Sequence, residues 1–235
     1  MEYLRVVLFA CLLGLLLPSP MEGQEAPDWV RLYPENDLTT EEQADRQIMV
    51  TMAGSGRRED QLYALQEIER LVGSGAWDAS TPYAQEVIGM LVLGAYRRSV
   101  RPEGSAPDPS IRARGVRLLG ALGGRRSELL IRDILRYEED SHVRAEAVSV
   151  LSRLRVGLDQ ELADLLILSI RREIAGEPDY RFVSSLYDTI YVADTIGEGV
   201  EDPDLFYALF DLVEEVDSRS LREEGYRLLK HLAEP

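Results

Sequence analysis

The sequence predicts an all-α fold, a right-handed α-solenoid of about five antiparallel helix pairs. Nearly the same helix recurs along the chain at a spacing in the thirties of residues. Glycines and prolines divide the chain into segments of helical length. No long stretch alternates between apolar and polar residues, and no Asn-Gly or Asp-Gly hairpin signal lies between β-branched runs.

Composition and charge limit the classes of partner. The chain has 235 residues, of which 45% are hydrophobic and 29% charged, and this balance is typical of a globular protein. The net charge of −16 repels nucleic-acid phosphates and anionic lipid, so neither is expected as a partner. The charge is uneven: −8 over residues 24–96, +4 over 97–172 and −11 over 173–235.

The N-terminus resembles a targeting segment. Arg5 precedes an apolar run of 12 residues, which is too short to span about 30 Å of hydrocarbon, and prolines follow it. We therefore expect a signal peptide over 1–23 and an extracytoplasmic (periplasmic or secreted) mature chain without a membrane span. An uncleaved N-terminal membrane anchor is the alternative. Cys11 is the only cysteine, so the mature chain would lack disulfides, thiol nucleophiles and zinc-thiolate sites.

Start and stop signals define the first helices, which follow an extended lead-in over 24–39. Thr40 precedes two acids, as in the first turn of a helix, and Gly73 is placed to end a later helix. Pro82 fits the first turn of the next helix. These signals predict helices over 41–54, 58–72 and 81–98.

A loop with three prolines over 99–109 separates these helices from seven more. Glycines such as Gly157 and Gly176 mark several of the later breaks. The predicted helices cover 110–122, 127–138, 141–154, 159–175, 179–196, 203–216 and 219–233. The helical repeat domain is therefore expected to cover 40–235.

The repeat is clearest in two stretches. Residues 108–123 read DPSIRARGVRLLGALG, and residues 140–155 read DSHVRAEAVSVLSRLR. Apolar or small residues occur at i, i+4, i+5, i+8 and i+11 in both, and the last helix has the same pattern. A two-helix unit with this period must stack on its neighbours to bury its apolar face. The small residue at i+4 is predicted to let a neighbouring helix approach closely, as at Gly115, Ala147 and Gly225.

An arginine recurs at the edge of the apolar arc of these helices, where a guanidinium needs a partner. An aspartate in the preceding turn is the nearest candidate, and stacked units would then carry a structural ladder of bidentate pairs. The predicted pairs are Asp108 with Arg112, Asp140 with Arg144, and Asp217 with Arg222.

The pattern D-x-x-[VI]-R-x-x-[AG]-[VY]-x-x-L resembles HEAT repeats, and it is similar to the short repeats of phycobilisome-lyase-like proteins. The match is best at 108–122 and 140–154 and weaker at 217–232. This resemblance implies a curved α-solenoid whose second helices line a concave, protein-binding face. It implies no particular reaction.

Catalytic and metal motifs are missing from the sequence. It contains no HExxH, GxSxG, P-loop or EF-hand string. His142 and His231 belong to different units and have no other ligand at metal-binding spacing, so neither a metal nor a cofactor is expected. Acidic clusters such as residues 138–140 are interpreted as solvated helix ends.

Residues that point outward from the second helices form the candidate protein-binding face, with ordinary solvated positions as the alternative interpretation. They are Arg114, Arg117, Glu146, Ser149 and Arg153. The sequence therefore favours an exported, non-catalytic scaffold or adaptor that binds one or more unidentified proteins. The alternatives are a lyase-like enzyme or enzyme subunit and a self-associating structural component of the cell envelope.

Overall fold

The structure, a computed structural model, describes residues 39–81, 83–94, 108–196 and 202–233. These residues belong to a compact unit that covers Tyr33–Pro235. The predicted signal peptide over 1–23 lies outside the described residues, as do nearly all of the lead-in over 24–39 and of the loop over 99–109.

The described part of the chain is all-α, with ten helices and no strand, which confirms the predicted class. None of these helices is long and apolar enough to cross a membrane. The helices are α1 (Thr40–Gly54), α2 (Arg58–Gly73), α3 (Ala84–Leu93), α4 (Pro109–Leu122), α5 (Gly124–Tyr137), α6 (Ser141–Leu154), α7 (Gln160–Ile174), α8 (Tyr180–Ile196), α9 (Pro203–Glu215) and α10 (Arg219–Ala233).

Side-chain caps fix where many of the helices begin. Thr39 and Glu42 form a capping box at α1, in which the Glu42 carboxylate accepts the backbone N–H of Thr39 at 2.8 Å. Each of five later helices follows an aspartate whose carboxylate accepts backbone N–H groups of the first turn, which would otherwise lack partners. These aspartates are Asp108, Asp140, Asp159, Asp179 and Asp202.

Contacts between the helices follow a simple alternation. Each odd-numbered helix contacts the next odd-numbered helix, from α1 with α3 to α7 with α9. Each even-numbered helix likewise contacts the next even-numbered helix, from α2 with α4 to α8 with α10. Cross-contacts such as α4 with α5 and α9 with α10 join the odd and even series. The even helices therefore form one layer, and the odd helices form a second layer packed against it.

Small residues allow the close packing that the repeat pattern predicts. A Cβ atom added to Gly115 on α4 would lie 2.6 Å from Cγ2 of Val92 on α3. A Cβ atom added to Gly225 on α10 would lie 2.6 Å from the Tyr187 hydroxyl of α8. Ala147 at the same position of α6 is fully buried. The prediction of close approach at the i+4 position is therefore confirmed.

Two helices differ from the expected bounds by more than one residue. The described part of the third helix is Ala84–Leu93, shorter than the predicted 81–98, although residues 95–98 lie outside the described part. The fifth helix begins at Gly124, three residues earlier than predicted, because the break before it is confined to one residue. Gly123 has a φ of 72°, and glycine reaches this left-handed conformation at little steric cost.

Candidate functional site

The arginines at the edge of the apolar arc are buried and paired in the two best repeats, but not with the predicted aspartates. Arg112 is 7% exposed and binds Glu138 through two hydrogen bonds, from Nε at 2.8 Å and Nη2 at 2.9 Å. Arg144 is 4% exposed and binds the Glu173 carboxylate through Nη2. The prediction that these guanidinium groups need a partner is confirmed, and the predicted partners are wrong.

Asp108 and Asp140 instead cap the N-terminal ends of α4 and α6. Asp108 accepts the backbone N–H of Ser110 at 2.8 Å, and Asp140 accepts that of Val143 at 3.1 Å. A carboxylate on a short side chain at the N-cap reaches the amides of its own first turn. Because each aspartate caps its own helix, each arginine binds an acid from a neighbouring segment instead.

The third predicted pair does not form. Asp217 and Arg222 are both exposed, and no ion pair joins these two described side chains. At the corresponding position of α8 the residue is Val183, which is fully buried. Among the even helices of the described part, this repeat position therefore holds a buried arginine only in α4 and α6.

Each buried glutamate also binds the turn that leads to the next even helix. Glu138 Oε1 accepts the backbone N–H groups of Glu139 at 3.0 Å and of Asp140 at 2.8 Å. Glu173 Oε1 accepts the backbone N–H of Asp179 at 3.2 Å. Each Arg-Glu pair thereby links the start of one even helix to the turn before the next. The interpretation of residues 138–140 as a solvated helix end is wrong for Glu138, which is 1% exposed.

The candidate protein-binding residues lie on α4 and α6, and two of the three arginines are engaged by neighbouring helices. Arg114 binds Glu69 of α2 through Nε at 2.9 Å and Nη2 at 2.5 Å. Arg117 Nη1 lies 3.4 Å from Glu146 Oε1 of α6. Because these ion pairs partly neutralise both cations, the face carries less positive charge than its three arginines suggest.

Ser149 and Arg153 are the remaining members of the predicted face. Arg153 is exposed, and its Nε donates to the Ser149 carbonyl 3.4 Å away, within the same helix. Its guanidinium forms no ion pair with another described residue. Arg153 is therefore the arginine of the predicted face that can bind a partner without breaking an ion pair.

A cleft between α6 and α8 adjoins this face and was not expected from the sequence. We call it the α6/α8 cleft, and its volume is about 270 Å³. The residues that line it include His142, Glu146 and Ser149 from α6 and Tyr180, Arg181 and Ser184 from α8. It therefore includes two members of the predicted face, together with side chains of α8 that sequence reasoning did not connect with it.

The two histidines have separate environments. His142 lines the α6/α8 cleft, whereas His231 Nε2 on α10 lies 3.1 Å from Asp194 Oδ2 on α8. The Tyr191 ring lies next to His231, with 5.2 Å between the ring centroids. In residues 39–81, 83–94, 108–196 and 202–233, no group of three or more His, Cys, Asp or Glu side chains could hold a metal ion.

Tyr187 is one of two buried tyrosines in the described part of the chain, and it lies outside the cleft. Tyr187 is 2% exposed, and burial raises the pKa of its hydroxyl well above the ordinary value. Tyr187 is a packing residue beside Gly225.

In the comparison with known proteins, no protein-family model, no curated protein and no solved structure matches this chain.

Proposed function

We propose that the chain is an exported, HEAT-like α-solenoid of about five antiparallel helix pairs that acts as a protein-binding scaffold or adaptor. The observation that carries the proposal is the alternation of contacts, odd helix with odd and even with even. This alternation is the one expected of stacked helix pairs. Such a stack presents the second helix of every unit on one continuous surface.

The proposed binding face is the surface of the even layer around Arg153 and the α6/α8 cleft. It combines an exposed arginine, a polar cleft, and ion pairs that join α2 to α4 and α4 to α6. Inter-helix pairs hold neighbouring helices in register, and a scaffold needs such a surface to present contacts to a partner without reorganisation.

Binding is favoured over lyase-like catalysis by the content of the cleft. The catalytic alternative calls for a deep pocket lined by paired acids or several tyrosines, which can transfer protons. The lining of the α6/α8 cleft includes one carboxylate, from Glu146, and one tyrosine, Tyr180. This content supports recognition of a ligand more than acid–base chemistry.

Site-specific photocrosslinking tests the proposed face. We would introduce p-benzoylphenylalanine at Arg153 on α6 and, as the matched control, at Arg171 on α7, because both arginines are exposed. Irradiation of cells followed by mass spectrometry should give protein adducts at position 153 and few at 171. Adducts at 171 alone, or equal adducts at both positions, would contradict a face on the even layer.

Export is tested separately by the N-terminus of the chain isolated from cells. Mass spectrometry of the extracytoplasmic fraction should find a chain that begins near residues 24–27, after removal of the predicted signal peptide. An intact Met1 on a chain in the cytoplasmic fraction would contradict export.

A further inference from the structure

The α6/α8 cleft is of a size to receive one side chain. Its volume of about 270 Å³ is below the usual range of pockets that enclose whole drug-sized ligands. α6 and α8 are neighbours in the even layer. A protein segment that lies across this layer can therefore insert a residue between the two helices.

Hydrogen-bond donors without partners dominate the lining of the cleft. The guanidinium of Arg181 has no hydrogen-bonded or ion-paired acceptor among the described residues. The same is true of the His142 ring, the Tyr180 hydroxyl and the Ser184 hydroxyl. Arg181 carries five N–H donors and no acceptor, so the cleft offers a fixed positive charge for recognition.

The Glu146 carboxylate in the lining and the Asp179 carboxylate, which precedes Tyr180 in the sequence, already have partners. Glu146 lies 3.4 Å from Arg117 Nη1. Asp179 accepts the backbone N–H groups of Arg181 at 2.8 Å and of Phe182 at 3.1 Å, because it caps α8. The cleft therefore has more free donors than free acceptors, and its complement is a ligand that accepts hydrogen bonds and carries negative charge.

Two helix ends lie beside the cleft. His142 lies in the first turn of α6, and Tyr180 and Arg181 lie in the first turn of α8. The N-terminal end of a helix carries a partial positive charge, but Asp140 and Asp179 already cap these two ends with carboxylates. The charge that the cleft offers to an anion is therefore that of the Arg181 side chain.

We propose that the α6/α8 cleft binds the carboxylate of an aspartate or glutamate side chain from a partner protein, with Arg181 as the charge partner. This inference rests on the proposed scaffold function and specifies which chemistry the face recognises. A guanidinium can bind a carboxylate through two parallel hydrogen bonds, and this geometry selects the acid over its amide analogue. Tyr180 and the serine hydroxyls supply further donors around the same anion.

The test is an NMR titration of the isotope-labelled mature chain with a defined probe. The probe is the blocked pentapeptide acetyl-Gly-Ser-Glu-Ser-Gly-amide, and its control is the same peptide with Gln in place of Glu. The Glu peptide should shift the backbone amide signals of residues 141–149 and 180–185, and its affinity should exceed that of the Gln peptide about tenfold.

Variants of Arg181 and Ser184 test whether these two side chains bind the carboxylate of the peptide. Arg181→Gln should weaken binding of the Glu peptide about tenfold, whereas Arg171→Gln, which removes an exposed arginine from the odd layer, should leave it unchanged. Ser184→Ala, which removes one neutral hydroxyl donor, should also weaken binding of the Glu peptide, but by less than Arg181→Gln. Because Arg181 is exposed, its replacement should preserve the fold, and the thermal midpoint of each variant checks this.

Three results would overturn the inference: equal binding of the two peptides, an unchanged affinity in Arg181→Gln, or tighter binding of inorganic phosphate than of the Glu peptide. The last result would assign the cleft to free oxyanions. If photocrosslinks at position 153 persist while the Glu peptide fails to bind, the inference fails and the proposed function stands. If the peptide binds and no crosslinks form at 153, the proposed function fails instead.

Discussion

The Glu173 carboxylate accepts hydrogen bonds from donors in α6 and in the turn before α8. Arg144 Nη2, Ser141 Oγ and the backbone N–H of Asp179 all donate to it, and its side chain is 1% exposed. A buried ion pair of this kind adds little net stability compared with apolar packing, but loss of one member leaves an uncompensated charge in the interior. Replacement of Glu173 alone is therefore expected to destabilise the fold, although the intact pair adds little compared with apolar packing.

Glu173→Gln should lower the free energy of unfolding by about 3 kcal/mol, because Arg144 would keep its buried charge without an anionic partner. Urea unfolding followed by circular dichroism measures this change from the midpoint and slope. Glu177→Gln is the matched control, since Glu177 is exposed four residues further along the chain. Equal stability of the two variants would show that the Arg144–Glu173 pair is dispensable.

Local sequence patterns predicted the need of Arg112 for a partner but not the partner. The position of Arg112 on its helical wheel depends only on the period of one helix, so its burial could be predicted. Glu138 lies 26 residues further on, and its approach depends on how α4 and α5 pack. A signal exists in the sequence: Glu138 directly follows α5 and Glu173 is the last residue but one of α7, so an acid lies at the end of the odd helix after each buried arginine. This signal becomes visible only when the unit that contains Arg112 is compared with the unit that contains Arg144.

At the scale of the element, close packing between neighbouring helices depends on a few small residues. Gly115→Ala should destabilise the protein by about 1 to 3 kcal/mol, because the added Cβ would lie 2.6 Å from Val92 Cγ2 in a packed interface. Gly73→Ala is the control: Gly73 ends α2, and a Cβ there would have no atom within 4 Å. Thermal unfolding should show a lower midpoint for the first variant and an unchanged or higher one for the second.

The existence of the ten helices was predictable, whereas the cleft between two of them was not. Caps and terminal glycines act within a few residues, so the sequence shows them directly, as at Asp159 and Gly73. The α6/α8 cleft depends on the orientation of side chains from helices that begin 39 residues apart, such as His142 and Arg181. Periodicity within one helix carries no information about how close the side chains of two different helices lie.

The capping residue Asp159 makes the joint between α5 and α7 sensitive to acid. The Arg132 guanidinium donates to it at 2.7 and 2.8 Å and holds the pKa of the Asp159 carboxyl below its ordinary value. A carboxyl whose pKa is lower in the folded state contributes stability that is complete above its unfolded pKa of about 3.9. That contribution is lost as the pH falls through the folded pKa.

Asp159→Asn should therefore destabilise the protein at pH 6, and the difference from the wild type should shrink as the pH approaches 3. Asparagine retains the capping of α7, so the change isolates the charge. Urea midpoints of both proteins at pH 6, 4 and 3 measure the effect. Asp188→Asn, at an exposed position of α8, is the control. A difference that stays constant with pH would contradict the assigned role of the Arg132–Asp159 pair.

At the scale of the whole described chain, stability should vary along the series of helices. α4 and α6 each contact an even helix on both sides, whereas α10 contacts α8 and α9 and has few buried residues. In a stack whose units touch only their neighbours, the end units open at lower free energy than the middle ones. We expect amides of α10 to exchange with solvent before those of α4 and α6, as measured by hydrogen-exchange mass spectrometry.

The same measurement can show whether the buried pairs couple neighbouring units. Glu173 joins α6 to the turn before α8, so Glu173→Gln should speed exchange in α6, α7 and α8. Exchange in α2 should change little, because α2 contacts α1, α3 and α4 and the coupling between units weakens with each interface. Glu177→Gln should leave the whole pattern unchanged. A uniform acceleration from α1 to α10 in Glu173→Gln would mean that the described chain opens as one cooperative unit, and it would contradict assembly from separable helix pairs.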